Sequence, residues 1–289
     1  MKFTSWALPT VVGSMVMAFG LAAHAASNLS NSLTGFTGDT SQAGTQAALA
    51  AAGFTVFTTA GLDDNGTPAN PGDDSNPAVS FDAGGAHFGS LIAGDAGRNY
   101  LRTLVGDYAT VSFTAEITFE VTTNERATFF GVGSGNTALF GTPDWSTQFS
   151  SASFWPEPAN DKITAFRTQN DMNAFVDKAV AGFDPGVHRL RMTFDSATKF
   201  LVGSIDLNYA GGPFTADATT LPIVTTTLFA ADGWPTEPSR IFFGGDDGAV
   251  FRDLTITVVP EPAAAVLAVV GLLAATFGRG WKRPSPRKT

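Results

Sequence analysis

Glu116 and Glu120 stand four residues apart in the run Glu116-Ile117-Thr118-Phe119-Glu120. In an extended chain both carboxylates point to one side. Two carboxylates on one face are the equipment of glycoside hydrolysis, one as nucleophile and one as acid/base. The polar file runs on past both of them through Ser112, Thr114 and Thr122, which is what any solvated strand face presents. Oxygen-rich loops offer a second chemistry. Asp63-Asp64-Asn65-Gly66, Asp73-Asp74-Ser75-Asn76 and Asp246-Asp247 supply the hard oxygen ligands of calcium, so structural Ca2+ is the one cofactor this sequence suits. An EF-hand over 63–74 fails, because Pro68 occupies the position that needs Gly and Asp74 replaces the closing Glu. Trp145, Trp155 and Trp234 lie in Pro- and Gly-rich segments, where an exposed ring would stack on a sugar and a packed one would anchor the loop. Beyond the first 25 residues only His87 and His188 remain as imidazoles, and no nucleophile elbow accompanies them. Both read as hydrogen-bonded structural groups.

The elements that would carry these residues have a period of two. From Val111 to Thr122, Val111, Phe113, Ala115, Ile117, Phe119 and Val121 alternate strictly with Ser, Thr and Glu. One face therefore packs inward and the other stays polar, as in an antiparallel sheet. Shorter runs at 54–58, 79–82, 100–104, 127–131, 162–167 and 172–178 read the same way, followed by 187–194, 199–208, 224–229, 240–243 and 251–258. Asp195-Ser196-Ala197-Thr198 makes a hairpin turn between two of them. One helix is expected over Gln42–Ala52, with Ser41 as cap and Gly53 as stop. Many strands, Gly-rich turns and little helix predict an all-β, two-sheet antiparallel jelly-roll sandwich spanning 26–258 as one domain. With no Cys in 289 residues, a disulfide framework and a thiolate metal site are both excluded. The stretch 26–258 holds 25 acidic and 11 basic residues, net −14, which argues against a nucleic-acid partner.

Both ends read as addresses. Residues 1–25 form a secretory signal peptide: Lys2, an uncharged apolar stretch from Leu8 to Ala22, then the small-x-small site Ala23-His24-Ala25. Export machinery and a signal peptidase are the implied partners. At the other end, 259–289 begins with Val259-Pro260-Glu261-Pro262 and continues into the apolar run 263–278 and the basic tail 279–289. A 16-residue helix reaches about 24 Å, short of the roughly 30 Å hydrocarbon core; Trp281 suits the interface, and the basic residues hold the tail in the cytoplasm. The expected topology is N-out, C-in.

Pro260, Glu261 and Pro262 ahead of an apolar helix and a basic tail resemble the PEP-CTERM sorting signal of Gram-negative bacteria. That resemblance implies recognition by an exosortase-type membrane protease and release to the cell surface or extracellular matrix, processing associated with exopolysaccharide and biofilm. Pro156-Glu157-Pro158 has no apolar run behind it and reads as a loop. Within the body, Gly186–Asp195, Phe200–Asp206 and the late segment Ile241-Phe242-Phe243-Gly244-Gly245-Asp246-Asp247 through Leu254 resemble the concanavalin A-like, laminin-G-like jelly rolls. Glu116-Ile117-Thr118-Phe119-Glu120 resembles the Glu-x-Asp-x-Glu strand of laminarinase-type hydrolases on that fold, but Thr118 replaces the central Asp. The expectation is a non-catalytic module that binds or organises extracellular polysaccharide, with a structural matrix protein and a glycosidase as alternatives.

Overall fold

A computed structural model describes residues 26–58, 78–89, 99–121, 128–135, 149–169, 172–225, 238–245 and 247–259. Strands β1 (Leu29–Ser32), β2 (Gly38–Asp39), β3 (Phe54–Thr58), β4 (Ser80–Asp82), β5 (Gly85–Gly89) and β6 (Asn99–Thr103) come first, with helix α1 (Ala43–Ala51) ahead of β3. Next are β7 (Ser112–Val121), β8 (Thr128–Gly135), β9 (Phe149–Glu157), β10 (Lys162–Gln169), β11 (Met172–Ala179) and β12 (Gly186–Asp195). Last come β13 (Phe200–Asp206), β14 (Ala218–Thr219), β15 (Ile223–Val224), β16 (Arg240–Gly245) and β17 (Asp247–Val259).

These strands form two antiparallel sheets. A ten-stranded sheet runs β14-β13-β12-β7-β17-β5-β4-β2, with β1 paired to β17 and β15 to β13. A seven-stranded sheet runs β11-β10-β9-β8-β16-β6-β3. The alternation read from β7 is realised: Phe113, Ala115, Ile117 and Phe119 are at most 1% exposed, while Glu116 and Glu120 stay half-buried on the other side. Against that row pack Leu190, Met192 and Phe194 of β12 and Leu254 and Ile256 of β17. The seven-stranded sheet contributes Phe154, Ile163, Val132 and Phe243. Phe243 meets Phe251 at 5.1 Å and Phe88 at 5.9 Å, so the surplus of Phe is spent on an aromatic seam between the sheets.

Three readings need correction. Ser41 does not cap the helix: its N–H and hydroxyl both turn back to Asp39 Oδ1, and α1 begins after Gln42 without a side-chain cap. Gly53 does stop it, at φ +89°. Pro156-Glu157-Pro158 is not a loop, because Pro156 and Glu157 close β9 and only Pro158 leaves it, opening a short 3-10 turn. Trp155 accordingly sits on a strand. Pro156 sits beyond the end of the β8 pairing, which runs from Phe149 to Phe154, and opposite Ile163 of β10. The sorting tail 260–289 and the leader 1–25 lie outside the described residues. Among the described residues no helix is long and apolar enough to cross a membrane.

Candidate functional site

Among the described residues, those that the sequence proposed for sugar chemistry lie on opposite surfaces. Glu116, Thr118 and Glu120 occupy the outer face of the ten-stranded sheet, and Trp155 occupies the outer face of the seven-stranded one. They share no groove. Trp145 and Trp234 lie outside the described residues, as do Asp63, Asp64, Asp73, Asp74 and Asp246. Asp247 opens β17 opposite Gly89. No group of three or more His, Asp or Glu gathers as a metal site among the described residues.

On the ten-stranded sheet both oxygens of Glu116 are taken by guanidinium donors. Arg189 Nε donates to Oε2 at 3.0 Å, and Arg191 Nε donates to Oε1 at 2.7 Å. Glu120 accepts from Arg252 Nη2, and Thr118 donates to Asp253 Oδ1 at 3.1 Å. The loop after β13 lies over this face: Arg189 Cζ is 5.0 Å from the Tyr209 ring centre and Arg191 Cζ is 3.9 Å from that of Phe214. Two guanidinium groups neutralise the Glu116 carboxylate and hold each of its oxygens in a cross-strand ion pair. Each of these cross-strand pairs ties neighbouring strands together.

The other face is differently equipped. Along β9 the outward residues are Ser151, Ser153, Trp155 and Glu157, because the inward ones are Ala152, Phe154 and Pro156. Trp155 is half-buried with its ring 5.5 Å from Phe129, and Tyr100 lies 6.4 Å beyond Phe129 and 5.7 Å from Phe242. This is a second aromatic layer, outside the sheet rather than between the sheets. Beside Trp155 in register stand Thr164 of β10 and then Asp177 of β11.

Thr164 Oγ1 lies between Glu157 Oε1 and Asp177 Oδ1, 2.7 Å from the latter. One hydroxyl proton serves one carboxylate at a time. Lys162 Nζ compensates, 3.1 Å from Asp177 Oδ2 and 3.3 Å from Glu157 Oε1, and Asn160 Nδ2 donates to Glu157 Oε2 at 3.1 Å. The Thr164 hydroxyl and the Lys162 ammonium hold the Asp177 carboxyl below the usual carboxylate range. Burial works against the charge on Lys162, but its bond to Asp177 and the nearby Glu157 charge prevail and raise it. On the other side of Trp155 the hydroxyls of Ser151 and Ser153 are buried with no hydrogen-bond partner among the described residues. An orphaned buried hydroxyl costs about 1–3 kcal/mol, so a partner for either is worth having.

The sequence carried a signal for this site that the repeated Pro-Glu-Pro obscured. Ser151, Ser153, Trp155 and Glu157 alternate with small and apolar residues as regularly as β7 does. Thr164, Lys162, Asn160 and Asp177 could not be linked to Trp155 without the strand register.

No protein-family model and no curated sequence matches the chain. Among solved structures, basic winged bean lectin with Tn-antigen shares 11% identity over 81% of this chain and 100% of its own, at a TM-score of 0.45. The carbohydrate recognition domain of Emp46p in its potassium-bound form shares 13% over 79% and 95%, at 0.44. The CBM2 module of the Lactobacillus casei BL23 phage J-1 evolved Dit shares 12% over 80% and 96%, at 0.43. At these scores the likeness decides nothing about the ligand, and the sandwich stands on its own strand pairing.

Proposed function

We propose that the chain is an exported, exosortase-sorted surface or matrix protein whose concanavalin A-like sandwich binds extracellular polysaccharide without cleaving it. The observation that carries the binding reading is Trp155: a half-buried ring on a rigid strand, bordered by Glu157, Asn160, Lys162, Thr164 and Asp177. An aromatic face takes the C–H side of a pyranose, while paired carboxylates, an ammonium and an amide take vicinal hydroxyls as acceptors and donors. Glu157 and Asp177 share the Thr164 hydroxyl and the Lys162 ammonium, and a sugar hydroxyl adds a further proton donor to them. Glu116 and Glu120, committed to Arg189, Arg191 and Arg252, favour binding over hydrolysis. The acidic loops that suit calcium, Asp63-Asp64, Asp73-Asp74 and Asp246-Asp247, belong to the same proposal as a structural aid only.

The test is a glycan array and titration with laminarin and alginate, using the full chain in detergent. Wild type binds at least one polymer and releases no reducing sugar from it. Trp155→Ala weakens that binding at least about tenfold, the equivalent of one stacking contact of roughly 1.4 kcal/mol. Arg191→Ala on the opposite face leaves it unchanged. Equal binding by wild type and Trp155→Ala removes this site from the proposal, and an absence of any glycan binding leaves the structural-matrix reading in its place.

A further inference from the structure

Of the seven large hydrophobic side chains exposed among the described residues, Leu104, Val105, Phe200, Val224 and Val259 lie at one end of the sandwich. A chain of contacts defines that end. Val259 pairs with Ser112, whose hydroxyl is 2.9 Å from that of Ser196 in the β12–β13 hairpin. The hairpin continues into Phe200, which pairs with Val224. Lys199 Nζ donates to Ala109 O at 3.3 Å, Tyr108 OH donates to Ser27 O at 3.0 Å, and Arg240 Nη1 donates to Leu104 O at 2.6 Å. These side chains are 39–49% exposed, at an end where turns meet water and polar residues are expected.

The chain leaves the sandwich from this end. Val259 closes β17, and only Pro260, Glu261 and Pro262 separate it from the apolar run that begins at Ala263. Four virtual bonds span at most about 14 Å, about twice the roughly 5–8 Å headgroup layer on each side of a hydrocarbon core of about 30 Å. If 263–278 is in the bilayer, the end carrying these five side chains is against its surface. We propose that this end docks on the lipid surface, with Phe200, Val224 and Val259 entering the interface beside the tether. The inference rests on the membrane reading of 263–278. Docking is driven by apolar contact rather than charge. Asp195 and Asp107 offset Lys199 and Arg240 at this end, and a body of net −14 gains nothing from anionic lipid.

The test uses the full chain reconstituted in phosphatidylcholine vesicles. Because the protein has no Cys, one environment-sensitive label can be placed at Ala197→Cys, on the hairpin of this end. A second goes at Ala181→Cys, in the turn ahead of β12, a strand length of about 30 Å away. The Ala197 label is expected to be quenched by headgroup-spin-labelled lipid at least about threefold more than the Ala181 label. Phe200→Ser with Val224→Ser should abolish the difference. Chain that floats with vesicles after an alkaline wash but shows equal quenching at both positions overturns the docking alone. Chain that fails to float overturns the membrane reading of 263–278, and the docking with it.

Discussion

His188 faces inward from β12, fully buried, 4.9 Å from the Phe183 ring centre and 5.7 Å from that of Phe119. Nδ1 accepts from the Asn208 N–H at 3.2 Å, so the ring proton is on Nε2, which donates to Asp184 O at 2.9 Å. Burial pushes this imidazole below its usual 6.5, and the carbonyl and charge of Asp184 only partly oppose that. The unfolded chain binds the proton at about 6.5 and the folded chain only below it, so in that window the unfolded state holds more protons. Stability is therefore full above 6.5 and declines as the pH falls below it. Urea midpoints at pH 7.5 and pH 5 should differ more for wild type than for His188→Gln; equal slopes would remove the imidazole as the cause. Its structural role was legible in the sequence from its isolation, but which nitrogen carries the proton was not, because Asn208 and Asp184 reach it only through the fold.

At the scale of elements, the strand pattern of β7, β10, β11, β12 and β13 is written in alternation, and those strands form within one or two residues of the expected ends. β1, β2 and β5 were not legible, and the alternation of β9 was obscured by its Pro-Glu-Pro. β1 is a polar edge strand with only every second residue partly buried, β5 is bounded by glycines, and β9 carries a proline as its penultimate residue. Such segments become strands because a neighbour offers a free edge, a property of the sheet and not of the segment. The same holds for glycine. Gly203 has ordinary extended backbone, yet a Cβ there would lie 2.5–2.8 Å from the Phe154 ring of the opposite sheet. Gly203→Ala must push Phe154 out of its place and should cost about 1–3 kcal/mol, read as a lower urea midpoint at unchanged slope. A neutral result would mean the two sheets can separate locally.

At the scale of the whole molecule, the first and last described strands are brought together. β1 pairs with β17 over Leu29–Ser32 and Asp253–Ile256, and the Val258 N–H donates to Asn28 Oδ1 at 2.7 Å. Residue 26, the proposed first residue after leader cleavage, thus lies beside the last residues of β17, where the proposed sorting tail begins. Tyr108 secures this arrangement from below: its hydroxyl donates to Ser27 O, and burial raises its pKa. Tyr108→Phe should cost about 1 kcal/mol and speed amide exchange at residues 28–32, leaving the centre of β7 protected. If exchange quickens everywhere alike, the hydroxyl supports the core generally and not the β1–β17 pairing.

What the sequence determined alone is local. Period-two alternation dictates a half-buried strand wherever it occurs, a long uncharged run with a basic flank reads as an address, and a cysteine-free acidic body excludes whole classes of chemistry. Tertiary structure decided which of these local features meet. It separated Glu116 and Glu120 from Trp155 by the thickness of the sandwich, gave the glutamates to arginines of β12 and β17, and assembled Glu157, Thr164 and Asp177 from three strands. Register between strands depends on how two inner faces interdigitate, and that is a property of all the residues at once.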